Sequence, residues 1–248
     1  MGQRICPADR GVRNLDLPRS DHLDYAVATD SERTRCYRGA VSETPLPGDR
    51  TRSWRTALLR SGVVVLASFA LGFLTFFAQG ALPEWFASFA NSASGWTVLT
   101  VLLVLWSRQR WPIAAPLGAA SFVLLTLGYS LASSVQGLYY NPTMFALVGV
   151  VAGPLVGVAA SWLLARGVRA ALATSALASV GLGEALYGLT VISETTSPVY
   201  WIIIGVTALG LLTWMLAKRI RGALPVAVTV LGTAAVAAAF VLVYTSLG

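Results

Sequence analysis

The feature that most constrains this chain is a series of seven apolar runs, each close to the length of a membrane-spanning helix. A hydrocarbon core of about 30 Å needs roughly 20 apolar residues of α-helix. The pattern therefore predicts an all-α, polytopic transmembrane helical bundle of about seven spans. The second run is the weakest, because polar and small residues fill its first turns, and six spans are the alternative if it is re-entrant. The runs are 58–79, 89–107, 112–134, 144–165, 168–190, 199–217 and 223–247.

Basic residues predict the direction of each span. The first, third and fifth connections contain no Lys or Arg, whereas eleven lie at the opposite ends of the runs, from residue 50 to residue 60 and in or next to the second, fourth and sixth connections. Basic residues mark the cytoplasmic side of a membrane. We therefore expect the N-terminus inside and the C-terminus outside. The eleven residues are Arg50, Arg52, Arg55, Arg60, Arg108, Arg110, Arg166, Arg169, Lys218, Arg219 and Arg221.

The charge distribution divides the chain into two parts. Eight of the eleven acidic residues precede residue 50, and only 12% of all residues are charged. We expect residues 1–57 to be a disordered cytoplasmic tail and residues 58–248 to be the transmembrane domain. Val41 is an alternative start if its codon is GTG, in which case residues 1–40 are not translated. The net charge of +7 comes from residues beside apolar runs, so we expect no nucleic acid partner.

Glu184 is the one acidic residue inside an apolar run. At a rise of about 1.5 Å per residue it lies roughly 24 Å from the inner surface, in the outer third of the bilayer. Tyr187 shares its helix face. A carboxylate inside a membrane is costly and is by default a functional candidate.

A second group of polar side chains is predicted at the same depth. Tyr129, Ser133, Gln136 and Tyr140 are spaced by four, three and four residues and form one stripe at the outer end of the third span. Gln79 ends the first span and Asn91 begins the second, both on the outer side. Since a dry bilayer offers these groups no partner, they should face one another or a water-filled cavity.

Two interpretations of this polar group remain open. In the first, it forms an outward-facing pocket in which Glu184 anchors a solute or exchanges a proton. In the second, Glu184 is protonated, bonds to Tyr129 or Gln136, and only packs helices together.

The fourth span contains glycines at four-residue intervals, Gly149, Gly153 and Gly157, with Pro154 between them. Small residues at this spacing allow helices to approach closely. Intramolecular helix packing is the favoured interpretation, and a docking groove for a partner helix is the alternative. The segment from Ala81 to Ser92 is expected to form a short interfacial helix or, alternatively, a lid.

The apolar runs lack the residues that metal binding, haem binding and catalytic dyads require. The only histidine, His22, lies in the tail, and no apolar run contains His, Cys or Asp. We therefore expect no metal, no haem and no catalytic dyad, and the chain carries no Walker A sequence. We expect neither enzyme activity nor a cofactor.

From "FLTFFAQGALPEWFASFANSASGW" onward, the chain resembles a bacterial family of uncharacterised integral membrane proteins, known mainly from high-GC Gram-positive bacteria, that carries a domain of unknown function. The resemblance covers about residues 60–248 and implies no established activity. Ser130 stands where the family pattern has a second tyrosine. The pattern includes Gln79–Gly80, Leu82–Pro83, Asn91–Ser92, Gly128–Tyr129, Gly153–Pro154 with Gly157, and Glu184–Ala185.

A looser resemblance is to the substrate-binding membrane subunits of energy-coupling-factor transporters, which have six spans and a binding site near the outer face. The hypothesis that follows is a membrane protein that binds or translocates a small solute, using an ion gradient or a coupling subunit or ATPase. The alternative is a non-catalytic structural or accessory membrane protein.

Overall fold

The computed structural model describes residues 47–247, with side chains from Trp54 to Ser246, and this part of the chain is helical without strands. The predicted all-α polytopic bundle is confirmed. A 3₁₀-helix, Ser88–Asn91, lies between the helices Glu84–Ala87 and Ala93–Ser107. The α-helices are α1 Pro47–Ala81, α2 Glu84–Ala87, α3 Ala93–Ser107, α4 Trp111–Val135, α5 Thr143–Trp162, α6 Val168–Thr190, α7 Pro198–Lys218 and α8 Ala223–Leu247.

Six of these helices are long and apolar enough to cross a membrane alone: α1 from Trp54, α4, α5, α6, α7 and α8. The second predicted span, 89–107, is broken. Its two parts, Glu84–Asn91 and Ala93–Ser107, meet at an angle of 64°. The break lies at Ser92, whose backbone is extended (φ −130°, ψ 152°). The polar and small residues that weakened this run in the sequence therefore mark a bend. The described part of the chain has six candidate spans, or seven if the bent pair counts as one.

Helix α1 begins at Pro47, before the predicted span start at residue 58. Proline suits the first turn of a helix because its missing N–H has no partner there. The helix thus extends into the segment expected to be an irregular tail. The rest of that predicted tail, including Val41, lies outside the described residues.

Glycines set the closest helix contacts. A Cβ on Gly118 of α4 would collide with the carbonyl oxygen of Gly153 in α5, and a Cβ on Gly157 would collide with that of Ala114. A Cβ on Gly149 would lie 3.0 Å from the Cβ of Phe122. The glycine stripe of α5 therefore faces α4 within this chain, and α5 continues as helix through Pro154.

Helix α6 lies at the centre of the second half of the bundle, in contact with α5, α7 and α8. Its most apolar window is 67% buried, the highest share among the six spans, against 17% for α8. Small side chains such as Ala170, Ala171 and Ala173 allow this close enclosure. Helix α6 also carries Glu184, so the acidic side chain enters the protein interior rather than lipid.

Candidate functional site

Glu184 binds the N-terminus of the broken span. Its side chain is 3% exposed. The backbone N–H of Ala93 donates to Oε1 at 2.7 Å, and that of Ser94 donates to Oε2 at 2.7 Å. Both carboxylate oxygens are therefore occupied by the first residues of α3.

This contact satisfies two needs at once. The first N–H groups of a helix have no partner within the helix, and the helix dipole places partial positive charge there. A carboxylate offers acceptors on both oxygens and so matches two adjacent N–H groups. In a membrane no water supplies these bonds. Glu184 thus completes the N-terminus of α3 from a residue ninety positions later in the chain.

Ser92 and Tyr200 extend the same arrangement. The Oγ of Ser92 accepts the N–H of Gly95 at 2.9 Å, which is an ordinary N-terminal cap. The same Oγ lies 2.5 Å from the hydroxyl oxygen of Tyr200 in α7. Tyr200 is buried, and the ring of Phe86 packs edge-on against it with centroids 5.9 Å apart. The bend is therefore held from α6 and from α7.

The sequence carries a signal for this cap at Ser92. Ser92 directly precedes an apolar run, and serine in that position is a common helix start. The partners Ala93 and Ser94 contribute only backbone N–H groups, which no side-chain pattern reveals. Tyr200 was not predicted either, because its position in α7 reads as one more apolar helix residue.

A separate cavity of about 620 Å³ contains most of the other predicted site residues. We call it the tyrosine cavity. It lies where α1 and α4 end, beside the connection from α4 to α5. Its lining is Phe76, Phe77, Gln79, Gly80, Tyr129, Ser133, Gln136, Leu138, Tyr139 and Tyr140.

Tyr129 is the centre of the wall of the tyrosine cavity. Nε2 of Gln79 donates to its hydroxyl oxygen at 3.0 Å, which ties α1 to α4. The rings of Phe76 and Tyr140 pack edge-on against it, with centroids 5.5 Å and 4.9 Å away. Trp96 of α3 lies behind it at 6.1 Å. Aromatic pairs in this arrangement fix one another's positions, so the wall is preformed.

Ser133 and Tyr140 shape the rim of the tyrosine cavity. The hydroxyl of Ser133 donates to the carbonyl oxygen of Leu138 at 3.0 Å, which closes the turn after α4. Tyr139 is 92% exposed at this rim. Burial, followed by the charge of Tyr129 when ionised, raises the pKa of Tyr140 to about 12. Tyr140 is therefore a neutral hydrogen-bonding group at all physiological pH values.

The structure divides the eight predicted binding residues into groups. Gln79, Tyr129, Ser133, Gln136 and Tyr140 line the tyrosine cavity, whereas Glu184 and Tyr187 do not. Tyr187 packs against Tyr244 of α8, with ring centroids 5.5 Å apart. Asn91 is exposed at the end of the 3₁₀-helix. Glu184 has no hydrogen bond to Tyr129 or Gln136, since its two oxygens accept from Ala93 and Ser94.

Two further expectations concern the segment before α3 and metal binding. Trp85 is half exposed as expected of an interfacial helix, but Phe86 and Phe89 stack on each other with centroids 5.1 Å apart. Both rings also pack against Tyr200, so the two side chains are only partly exposed. Within the described part of the chain, no three His, Cys, Asp or Glu side chains come together as a metal site would require.

Comparison with known proteins identifies a family. A family model described as "Family of unknown function (DUF6518)" matches residues 51–248, and the chain therefore belongs to that family. No curated protein and no solved structure matches the chain. The family match agrees with the expected domain of unknown function. The expected bacterial source and the resemblance to energy-coupling-factor subunits remain hypotheses.

Proposed function

We propose that this member of the DUF6518 family binds a small solute in the tyrosine cavity. The observation that carries the proposal is the convergence of Gln79, Tyr129 and Tyr140, from two helices and a connection, on one cavity of about 620 Å³. Small-molecule sites in proteins occupy roughly 300–1,000 Å³ and combine apolar walls with a few polar groups. The cavity has both properties.

The chemistry of the lining indicates the class of solute. Its polar groups are amides and hydroxyls, and no charged side chain lines it. Phe76, Tyr129 and Tyr140 offer ring faces and edges for stacking. We therefore propose a small uncharged solute that has an apolar face and a hydrogen-bonding edge.

Binding rather than catalysis is the proposed activity. None of the cavity's lining residues is a carboxylate, histidine, cysteine or lysine, so the Ser133 hydroxyl has none of the usual bases beside it to make it a nucleophile. We further propose that the cavity opens to the outside of a bacterial cytoplasmic membrane, on the basis of the basic residues at the other ends of the helices. Translocation of the solute would draw on an ion gradient, or on a coupling subunit or ATPase.

The test is native mass spectrometry of the protein purified in mild detergent from its native membranes. The cavity variant is Gln79→Leu combined with Gln136→Leu, which removes both amides and keeps the aromatic wall. The control is Asn91→Ala, which removes an exposed amide outside the cavity. We expect a small-molecule adduct on wild type and on the control, and its loss from the cavity variant. Bare spectra for all three, or an equal adduct on the cavity variant, would refute solute binding at this cavity.

The structural alternative rests on Glu184. Both of its oxygens bond to the backbone of α3, which is what an internal helix anchor requires. A protein whose polar groups only hold helices together would show bare spectra, and the tyrosine cavity would then be a surface depression. The alternative explains Glu184 fully, but it gives no reason for five predicted polar residues to line one cavity.

A further inference from the structure

A second cavity, of about 870 Å³, lies at the opposite end of the helices from the tyrosine cavity. We call it the arginine cavity. Its walls come from α1, from the end of α3 with the following connection, and from the end of α5. Arg60, Arg108, Gln109 and Ser161 supply its polar groups, and Trp106 and Leu164 are among its apolar ones.

The polar wall of the arginine cavity is held in place by the connection after α3. Nε2 of Gln109 donates to the carbonyl oxygen of Ala57 at 2.9 Å, which ties the connection to α1. Arg108 ends α3 in the left-handed conformation, with φ 53° and ψ 32°. This conformation is uncommon outside glycine and turns the chain sharply. The connection is therefore held in one position, and Arg108 lines the same cavity as Arg60 of α1.

Among the side chains from Trp54 to Ser246, the two arginines have no acidic counterpart nearby. The acidic side chains that the structure describes, from Trp54 to Ser246, are Glu84, Glu184 and Glu194, and all three lie towards the other end of the helices. A third arginine, Arg219, donates from Nη1 to the carbonyl oxygen of Leu164, one of the lining residues, at 2.5 Å. The cavity therefore concentrates positive charge, and its natural ligand is an anion.

The remaining lining identifies the source of that anion. Trp106 is about half exposed, and tryptophan prefers the depth of the lipid headgroups. Val104 and Leu105 continue the wall towards the middle of the helices, so apolar surface begins directly beside the arginines. A phosphate with acyl chains attached fits both surfaces, whereas a free phosphate ion would use only the polar one.

We infer that the arginine cavity binds the phosphate of an anionic phospholipid, with Arg60 and Arg108 as its ligands. Guanidinium groups bind phosphate oxygens through paired N–H donors. Gln109, already engaged with α1, positions the connection rather than binding the phosphate. The site does not depend on solute binding at the tyrosine cavity.

The test compares lipid binding by native mass spectrometry, with phosphatidylglycerol and phosphatidylcholine as the two probes. The variant is Arg60→Gln combined with Arg108→Gln. The matched control is Arg166→Gln combined with Arg169→Gln, which removes the same charge at the same end from exposed residues outside the cavity. Each arginine near a membrane surface contributes about fivefold to binding of an anionic lipid. We therefore expect roughly 30-fold weaker phosphatidylglycerol binding by the cavity variant and near wild-type binding by the control.

Three results would overturn the inference. Equal weakening in both double variants would show general attraction to basic ends of helices, and equal binding of phosphatidylcholine would show that charge is irrelevant. Displacement of the lipid by millimolar glycerol phosphate would identify a water-soluble phosphate as the ligand. If the double variant does not fold, the single variant Arg108→Gln, at an exposed side chain, should still weaken phosphatidylglycerol binding about fivefold.

Discussion

Glu184 accepts the backbone N–H of Ser94 at 2.7 Å, although ninety residues and two helices, α4 and α5, separate them in the chain. The bond joins the most enclosed helix to the first turn of a span that is broken at Ser92. An acidic residue that looks functional in an apolar sequence thus has a structural partner.

Replacing Glu184 by glutamine should destabilise the protein. The amide presents an NH₂ group to one of the two N–H donors, so a buried donor loses its acceptor, which costs about 1–3 kcal/mol. Thermal unfolding in detergent measures the effect. The control is Glu84→Gln, the same change at an exposed residue, and it should unfold like wild type. Equal unfolding temperatures for both variants would mean that the two bonds contribute little.

The contact between α4 and α5 should not tolerate a single methyl group. In Gly157→Ala the new Cβ collides with the carbonyl oxygen of Ala114, and overpacking of this kind costs about 1–3 kcal/mol. Gly210 of α7 has no atom within 4 Å of an added Cβ, so Gly210→Ala serves as the control. We expect a lower unfolding temperature for Gly157→Ala and an unchanged or higher one for Gly210→Ala. The reverse order would contradict the observed helix contact.

Gln79 and Tyr129 should be energetically coupled. A double-mutant cycle with Gln79→Ala and Tyr129→Phe removes each side of their hydrogen bond in turn, and we expect a coupling of about 0.5–1.5 kcal/mol in unfolding free energy. The same cycle with Tyr187→Phe should be additive, because Tyr187 lies outside the tyrosine cavity. Coupling of similar size in both cycles would show an indirect effect of the Gln79 change.

Alkaline pH should weaken the fold partly through Tyr140. Its pKa is raised from 10.0 to about 12 by burial and by Tyr129, so the folded protein keeps a proton that the unfolded chain releases. The contribution to stability is complete below pH 10 and is lost as the pH rises towards about 12. Unfolding measured across this range should show a smaller loss for Tyr140→Phe than for wild type. Tyr139→Phe, at a side chain 92% exposed, should match wild type, and identical curves for all three would contradict the assignment.

The sequence was sufficient for the fold because hydrophobic length and basic residues act locally along each helix. It also indicated the broken span, since the polar and small residues from Asn91 to Gly95 cannot continue an apolar helix without cost. The same pattern grouped Gln79 with Tyr129, because residues at matching depths on neighbouring helices tend to meet. The spacing of residues along each helix was therefore enough to predict the spans and to group Gln79 with Tyr129.

The depth of each residue in the membrane, estimated from the sequence, could not show that Glu184 and Tyr129 belong to two separate polar groups at the same end of the bundle. Glu184 and Tyr129 were expected to be neighbours, but rotation of each helix about its axis decides which side chains meet. That rotation depends on close contacts such as Gly118 with Gly153, which one sequence does not specify. The partner of Glu184 is a backbone N–H group, and backbone groups carry no residue-specific signal. The carboxylate was therefore recognised as unusual without its partner being identifiable.

The most direct test of the central claim, that Glu184 holds the first turn of α3, is amide hydrogen exchange at Ala93 and Ser94 in wild type and Glu184→Gln. Exchange at these two amides should be slow in wild type and at least about tenfold faster in the variant. The amide of Thr100, further along α3, should exchange equally in both proteins. Unchanged exchange at Ala93 and Ser94 would contradict the claim, as would equal acceleration along the whole of α3.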